Sequence, residues 1–353
     1  MSRLILAAIF ASIIGALAND DRVAQTMSVQ QLPSEGATPS LRGATQWLNS
    51  PPLSTTALRG KVVLVSFWTY TCINWRRSLP YIRAWQRKYG DHGLVVVGVH
   101  TPEFGFEANV DNVRREAERM DVSYPIAIDN NYAIWRDFDN NYWPALYLID
   151  GRGQIRYHQF GEGNYERSET IIQTLLAENG GEHIPAGTVT VQAAGAEASA
   201  DWSDLRSNEN YLGYNRSLGF SSPGGLVRNK SKTYSYPTRF ALNTWALAGD
   251  WTAGNDRVTL GGSHGTIAYR FHARDLHVVM GAAVSGASIP FRILIDGRAP
   301  GAAHGSDTDA LGNGMLREER MYQLIRQMTP IHDRDVEIVF LGAGAKAFAV
   351  TFG

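Results

Sequence analysis

Cysteine is almost absent: the 353 residues hold one, Cys72. No disulfide can therefore form within a single chain, and the fold must rest on its packed core. Charge of one sign is absent too. Thirty-four acidic against 33 basic side chains leave a net −1, with no electrostatic footprint for nucleic acid or an anionic membrane. Leu4 to Leu17 is apolar or small but shorter than the ~20 residues a spanning helix needs, and no longer run follows. No Cys/His cluster has metal-ligand spacing, and neither a Gly-rich phosphate loop nor a nucleophile elbow occurs, so no metal and no cofactor is expected.

The amino terminus reads as a secretory signal over residues 1–18. Arg3 gives a positive start, the apolar stretch follows, and Ala16-Leu17-Ala18 forms a cleavage site before Asn19. The expected product is periplasmic or extracellular; a signal-anchored form is the alternative. The remaining length suits two domains, and 44% hydrophobic residues with nine tryptophans can fill two cores.

Residues 19–46 are a flexible lead-in, rich in Ser, Pro, Thr and Gly. Over 47–180, all-apolar strands alternate with amphipathic helices. Val62 to Phe67, Leu94 to Val99 and Ala145 to Ile149 are the strands, and Trp75, Leu79, Ile82, Trp85 and Tyr89 form one helical stripe. Fully apolar strands predict an α/β sheet covered on both faces. A Gly- and Ala-rich linker occupies 181–200. From 201 to 353 helical periodicity gives way to strand runs separated by turns, such as Thr266 to Phe271, Phe291 to Ile295 and Ala347 to Phe352. This predicts an all-β sandwich of jelly-roll type.

Cys72 sits where the first strand turns into a helix. Unpaired N–H groups at a helix start favour a thiolate, and Arg76 and Arg77 lie within about one turn, so a lowered thiol pKa and a reactive sulfur are expected. Trp75, three residues on, shares that helix face and reads first as a core residue, with a lid over Cys72 as the other reading. Trp143-Pro144 precedes the third strand as a candidate cis-proline loop for presenting a bound peptide. His100 and Glu103 follow the second strand, at the sheet edge where ligands gather, and are candidate proton carriers. Asp129 reads as a helix cap. Thr69-x-x-Cys72 matches part of a peroxide-reducing site, but Val65 stands where its proline would be. Among the C-terminal aromatics, Trp202, Tyr211, Tyr214, Trp245 and Trp251 include candidates for a sugar-stacking platform.

Together these stretches resemble the soluble part of the DipZ family, thioredoxin-like proteins related to TlpA. The resemblance rests on Trp47 to Ser50, Leu58 to Leu64, Phe67 to Asn74, Gly98 to Phe104, Tyr142 to Ala145 and Gly161 to Gly163. Tyr211 to Tyr214 and the region Asp296 to Gln327 resemble that family's carbohydrate-binding-module-like C-terminal domain. The resemblance implies a thioredoxin-like domain whose first active-site cysteine is Cys72 and whose cis-proline is Pro144. Two departures matter. No counterpart of the family's membrane-embedded electron-transfer domain is expected within these 353 residues, and its Cys-Ile-Asn-Cys has become Cys72-Ile73-Asn74-Trp75.

The expected function is exported monothiol redox chemistry at Cys72, supported by Trp75, Thr69, Trp143, His100 and Glu103. Its partners would be oxidised client proteins or low-molecular-weight thiols, with a separate membrane reductant and a glycan on the C-terminal domain. The alternatives are a non-catalytic glycan- or protein-binding protein with a degenerate redox domain, and a thiol peroxidase.

Overall fold

A computed structural model describes residues 32–284 and 286–353. The signal reading at residues 1–18 and the first part of the lead-in lie outside the described residues. Pro33–Gly353 forms one compact unit built on two sheets.

The first sheet belongs to the α/β half. Its elements run β1 (Gly36–Ala37), β2 (Gln46–Leu48), β3 (Val62–Trp68), α1 (Ile73–Tyr89), β4 (Leu94–His100), α2 (Val110–Arg119), β5 (Ile126–Ile128), α3 (Ala133–Asp137), β6 (Ala145–Ile149), β7 (Gln154–Phe160) and α4 (Tyr165–Glu178). The strand order is β1-β7-β6-β3-β4-β5-β2. β3, β4 and β5 are parallel, β6 runs antiparallel to β3, and β7 runs antiparallel to β6. All residues of β3 and β6 are buried, as unbroken apolar runs require of strands covered on both faces. α1 lays Trp75, Leu79, Ile82, Trp85 and Tyr89 inward and continues through Pro80. Gly98 in β4 is needed for close approach: a Cβ there would lie 2.8 Å from Trp68 Nε1 and 3.0 Å from the Tyr124 ring.

The second half is all β: β8 (Asn210–Tyr211), β9 (Ser231–Tyr234), β10 (Trp245–Ala253), β11 (Val258–Phe271), β12 (Asp275–Ala282), β13 (Ile289–Ile295), β14 (Asn313–Leu316), β15 (Arg320–Arg326), β16 (Arg334–Phe340) and β17 (Ala345–Phe352). These ten strands form one hydrogen-bonded antiparallel sheet. The sheet curls because β11 pairs β17 through Val258 and Thr259 and β16 from Gly265 onward, with a register break in β10 between Gly249 and Trp251. Trp245, Trp251, Phe271, Phe291 and Phe340 fill the core it encloses. The expected sandwich is thus a single curled sheet around one core.

The halves meet along a seam. Ile73 and Phe104 from the α/β half pack with Val279, Met321 and Phe348 from the β half, and Tyr211 lies against that cluster. Arg77 Nη2 donates to Phe352 O at 2.9 Å, and Arg83 pairs with Glu197 at 2.5 Å.

Candidate functional site at the Cys72 turn

The registers of the first sheet bring three loops to one edge. Trp68 pairs with His100, and Phe67 pairs with Ala145. The turn after β3, the loop after β4 and the approach to β6 therefore share that edge, which is where Cys72, Glu103 and Pro144 lie. The Trp143-Pro144 peptide is cis. Trp143 Nε1 donates to Thr101 O at 3.0 Å, fixing the proline loop to the loop after β4.

Cys72 is the N-cap of α1, in extended backbone conformation and half-buried. Burial and then the carboxylate of Glu209 push its thiol well above the ordinary value, with Glu103 adding to the rise. The N–H groups of Trp75 and Asn74 pull the other way without completing a cap hydrogen bond. The expected lowering by Arg76 and Arg77 does not occur, because both guanidinium groups are turned to other partners. Arg76 Nε donates to Tyr70 O at 3.2 Å, and Arg77 pairs with Glu162 at 3.0 Å. Neither is placed to orient a peroxide, and Thr69 is fully buried beside the Glu107 carboxyl rather than open to a substrate.

Trp75 is buried and stacks on Trp68, with centroids 4.3 Å apart and planes 25° from parallel. Its indole belongs to the core, so it does not serve as a lid over Cys72. His100 is equally buried, edge-on to Trp68 and stacked on Tyr70. Neither ring nitrogen has a hydrogen-bond partner, and burial draws its pKa down to about 3. A neutral imidazole with no partner cannot relay a proton at neutral pH, which removes His100 from the proton carriers. Asp129 accepts from Ile134 N at 3.0 Å and Trp135 N at 2.9 Å, as a cap of α3 should.

Glu103 is engaged from the other half of the molecule. Its Oε1 accepts from Tyr211 Oη at 2.6 Å and from Arg216 Nη1 at 2.9 Å. Tyr211 Oη also lies 3.2 Å from Glu209 Oε2, and the Arg216 guanidinium covers the Tyr211 ring at 3.4 Å. Glu209 keeps solvent contact, but protein crowds round it. Burial and then the nearby Glu103 raise its carboxyl to about 7.

Glu107 was not foreseen from sequence. Fully buried, it accepts from Thr71 Oγ1 at 2.6 Å, Glu103 N at 2.7 Å and Phe104 N at 2.8 Å, tying the Cys72 turn to the loop after β4. Burial raises it to about 7 against the hydrogen bonds from Thr69, Thr71 and Phe104 N. Glu209 and Arg216 were also missed; no local pattern marks them. Of the candidate sugar platform, Trp245 and Trp251 are core residues, Tyr211 is covered by Arg216, and Trp202 is 62% exposed. No group of His, Cys, Asp and Glu among the described residues could hold a metal ion.

Residues 36–176 match the Redoxin family, and residues 207–353 match the family described as thioredoxin like C-terminal domain. The proteins called DipZ in Mycobacterium bovis and Mycobacterium tuberculosis are each 40% identical over 255 residues, which is 71% of this chain and 36% of theirs. The chain thus spans about a third of the length of those relatives. The thiol-disulfide oxidoreductase YkuV of Bacillus subtilis is 31% identical over 140 residues, 40% of this chain and 94% of YkuV. A thioredoxin-like protein solved in solution in its oxidised form is 31% identical with a TM-score of 0.38, covering 40% of this chain and 96% of that one.

Proposed function

This chain belongs to the thioredoxin-like thiol–disulfide oxidoreductase family, and we propose that within it Cys72 works as a single thiol. As thiolate, its sulfur attacks one sulfur of a client disulfide. A Cys72–client disulfide forms, and the other client sulfur leaves as a thiolate that takes up a proton. A second thiol-bearing molecule then attacks the mixed disulfide and returns Cys72 to its reduced state. Trp75, at the position from which an internal thiol would resolve it, cannot do so.

The observation that carries this reading is the placement of Cys72. It is half-buried at the start of α1, on the sheet edge shared with the cis Pro144 loop, with two helix N–H groups directed at it. Burial and the nearby acids keep the resting thiol protonated, so the reaction is slow until a client offsets those charges. The clients are oxidised proteins or low-molecular-weight thiols in their disulfide form, and a separate membrane thiol reductant resolves the mixed disulfides. Export under residues 1–18 and a two-domain organisation with its linker at 181–200 belong to the same proposal. Among the described residues no helix is long and apolar enough to cross a membrane.

Alkylation of the folded protein tests it. Wild type should take up iodoacetamide at Cys72 at a rate that climbs with pH, and should form a mixed disulfide with a small oxidised thiol; Cys72→Ser should do neither. A thiol that reacts only after unfolding would sink the proposal. The raised thiol pKa favours a second reading in that event, a non-catalytic protein whose β half binds glycan or protein with Trp202 as the exposed aromatic. A glycan array with wild type and Trp202→Ala separates that outcome. Peroxide-driven sulfenate at Cys72 would instead revive the peroxidase reading.

A further inference from the structure

α1 and α2 face β14, β15 and the loops beside them across an open cleft of about 510 Å³. Four guanidinium groups line it: Arg76 and Arg119 from the α/β half, Arg317 and Arg320 from the β half. Two of them are neutralised in place. Arg320 pairs with Asp307 at 2.6 Å, and Arg119 pairs with Glu318 at 3.1 Å and Glu116 at 2.9 Å.

The other two are not. The Arg317 side chain makes no ion pair or hydrogen bond among the described residues, although it is exposed on the cleft wall. Arg76 is 13% exposed, and among the described residues its one carboxylate contact is a long one, 3.5 Å to a Glu116 already shared with Arg119. Burial disfavours its cation, Arg320 repels it across the seam, and Glu116 offsets only part of this. A guanidinium with spare donors in a half-enclosed cleft is suited to a planar or tetrahedral oxyanion, which it can grip with two parallel N–H groups.

We propose that this cleft binds a small ligand through an oxyanion group (carboxylate, sulfate or phosphate), with Arg76 and Arg317 as the gripping side chains. Binding there would join the two halves of the molecule, since the two arginines come from opposite sides of the seam. It would also reach the thiol, because Arg76 Nε holds Tyr70 O in the turn that carries Cys72.

Calorimetric titration of the full chain with phosphate, sulfate and glucuronate, at ionic strength fixed with chloride, tests this. At least one should bind saturably at one per chain, and the one that does identifies the source chemistry. Arg317→Glu should weaken binding at least tenfold while leaving thermal unfolding unchanged, since that side chain holds no other group. Arg317→Ala serves if the reversal misfolds, with a loss of threefold or more. Cys72→Ser should bind as wild type does, so failure of the thiol chemistry leaves this result intact. No saturable binding by any of the three anions, or equal affinity in wild type and both Arg317 variants, overturns the proposal.

Discussion

Tyr211 donates its hydroxyl to Glu103 Oε1 at 2.6 Å across 108 positions of chain, tying the β half to the loop beside Cys72. A phenol bonded to a half-buried carboxylate is a charge-assisted hydrogen bond, stabilising by about 1.5–3 kcal/mol. Tyr211→Phe keeps the ring against Phe104 and beneath Arg216 but removes that bond. We expect Tyr211→Phe and Glu103→Gln each to lower stability, with a coupling of about 1–2 kcal/mol in a double-mutant cycle by chemical denaturation. Additive losses would show that the seam does not depend on this contact.

Glu107 makes the Cys72 turn sensitive to pH. Its ordinary value of 4.5 rises to about 7 through burial, against the hydrogen bonds from Thr69, Thr71 and Phe104 N that lower it. A carboxyl raised on folding contributes stability that is complete below 4.5 and is lost as pH climbs through about 7, on the order of 3 kcal/mol in all. Glu107→Gln can keep the hydrogen bonds without titrating. The variant should therefore gain on wild type in denaturation midpoint between pH 5 and pH 8; parallel curves would exclude a buried titrating carboxyl.

His272 works in the same direction at a different place. Nδ1 lies 2.7 Å from Asp333 and Nε2 2.9 Å from Asp204, with Arg270 paired to Asp333 and Arg206 beside Asp204. Burial alone would lower the imidazole, and Arg206 opposes its charge, but the two carboxylates outweigh both and raise it. The clasp is thus complete below about 6.5, where the unfolded His is also protonated, and loosens as pH rises through the higher folded value. At the acid end it fades again when Asp333, held low by His272, takes up a proton. In melting curves from pH 5 to pH 9, wild type should lose stability on the alkaline side and His272→Gln should not share that slope. A wild-type curve flat across the range would rule the clasp out.

The α/β half was legible in the sequence because its strands are unbroken apolar runs, and its helix stripe proved to be the buried face of α1. The β half was legible as a class but not strand by strand. β11 extends back to Val258 through Gly261, Gly262 and Gly265, where glycines interrupt the apolar pattern. β15 mixes Arg320, Gln323 and Arg326 into its run. Cys72 and Pro144 could be placed from their neighbours alone. The surroundings that set the thiol could not, since Glu103, Glu209, Tyr211 and Arg216 converge only through the seam. Tyr211 was read as a sugar platform because sequence shows an aromatic ring and hides the guanidinium that covers it.

Trp75→Cys tests the single-thiol reading most directly. Position 75 is the third residue of α1, and Cys72 is its N-cap, so a sulfur there lies one helical turn away, within range of an internal disulfide. With Trp75 in place, wild type should form mixed disulfides with the disulfide forms of small thiols or with oxidised clients, release them slowly, and be nearly inactive as a dithiol reductase of insulin. Trp75→Cys should gain turnover in that assay. It should also lose about 3 kcal/mol or more, because the indole it removes is fully buried and stacked on Trp68. Assays at low temperature, with circular dichroism to confirm folding, keep the two effects apart. Cys72→Ser should abolish mixed-disulfide formation in either background. If wild type reduces insulin as fast as folded Trp75→Cys, the missing second sulfur does not limit this protein and the single-thiol mechanism fails.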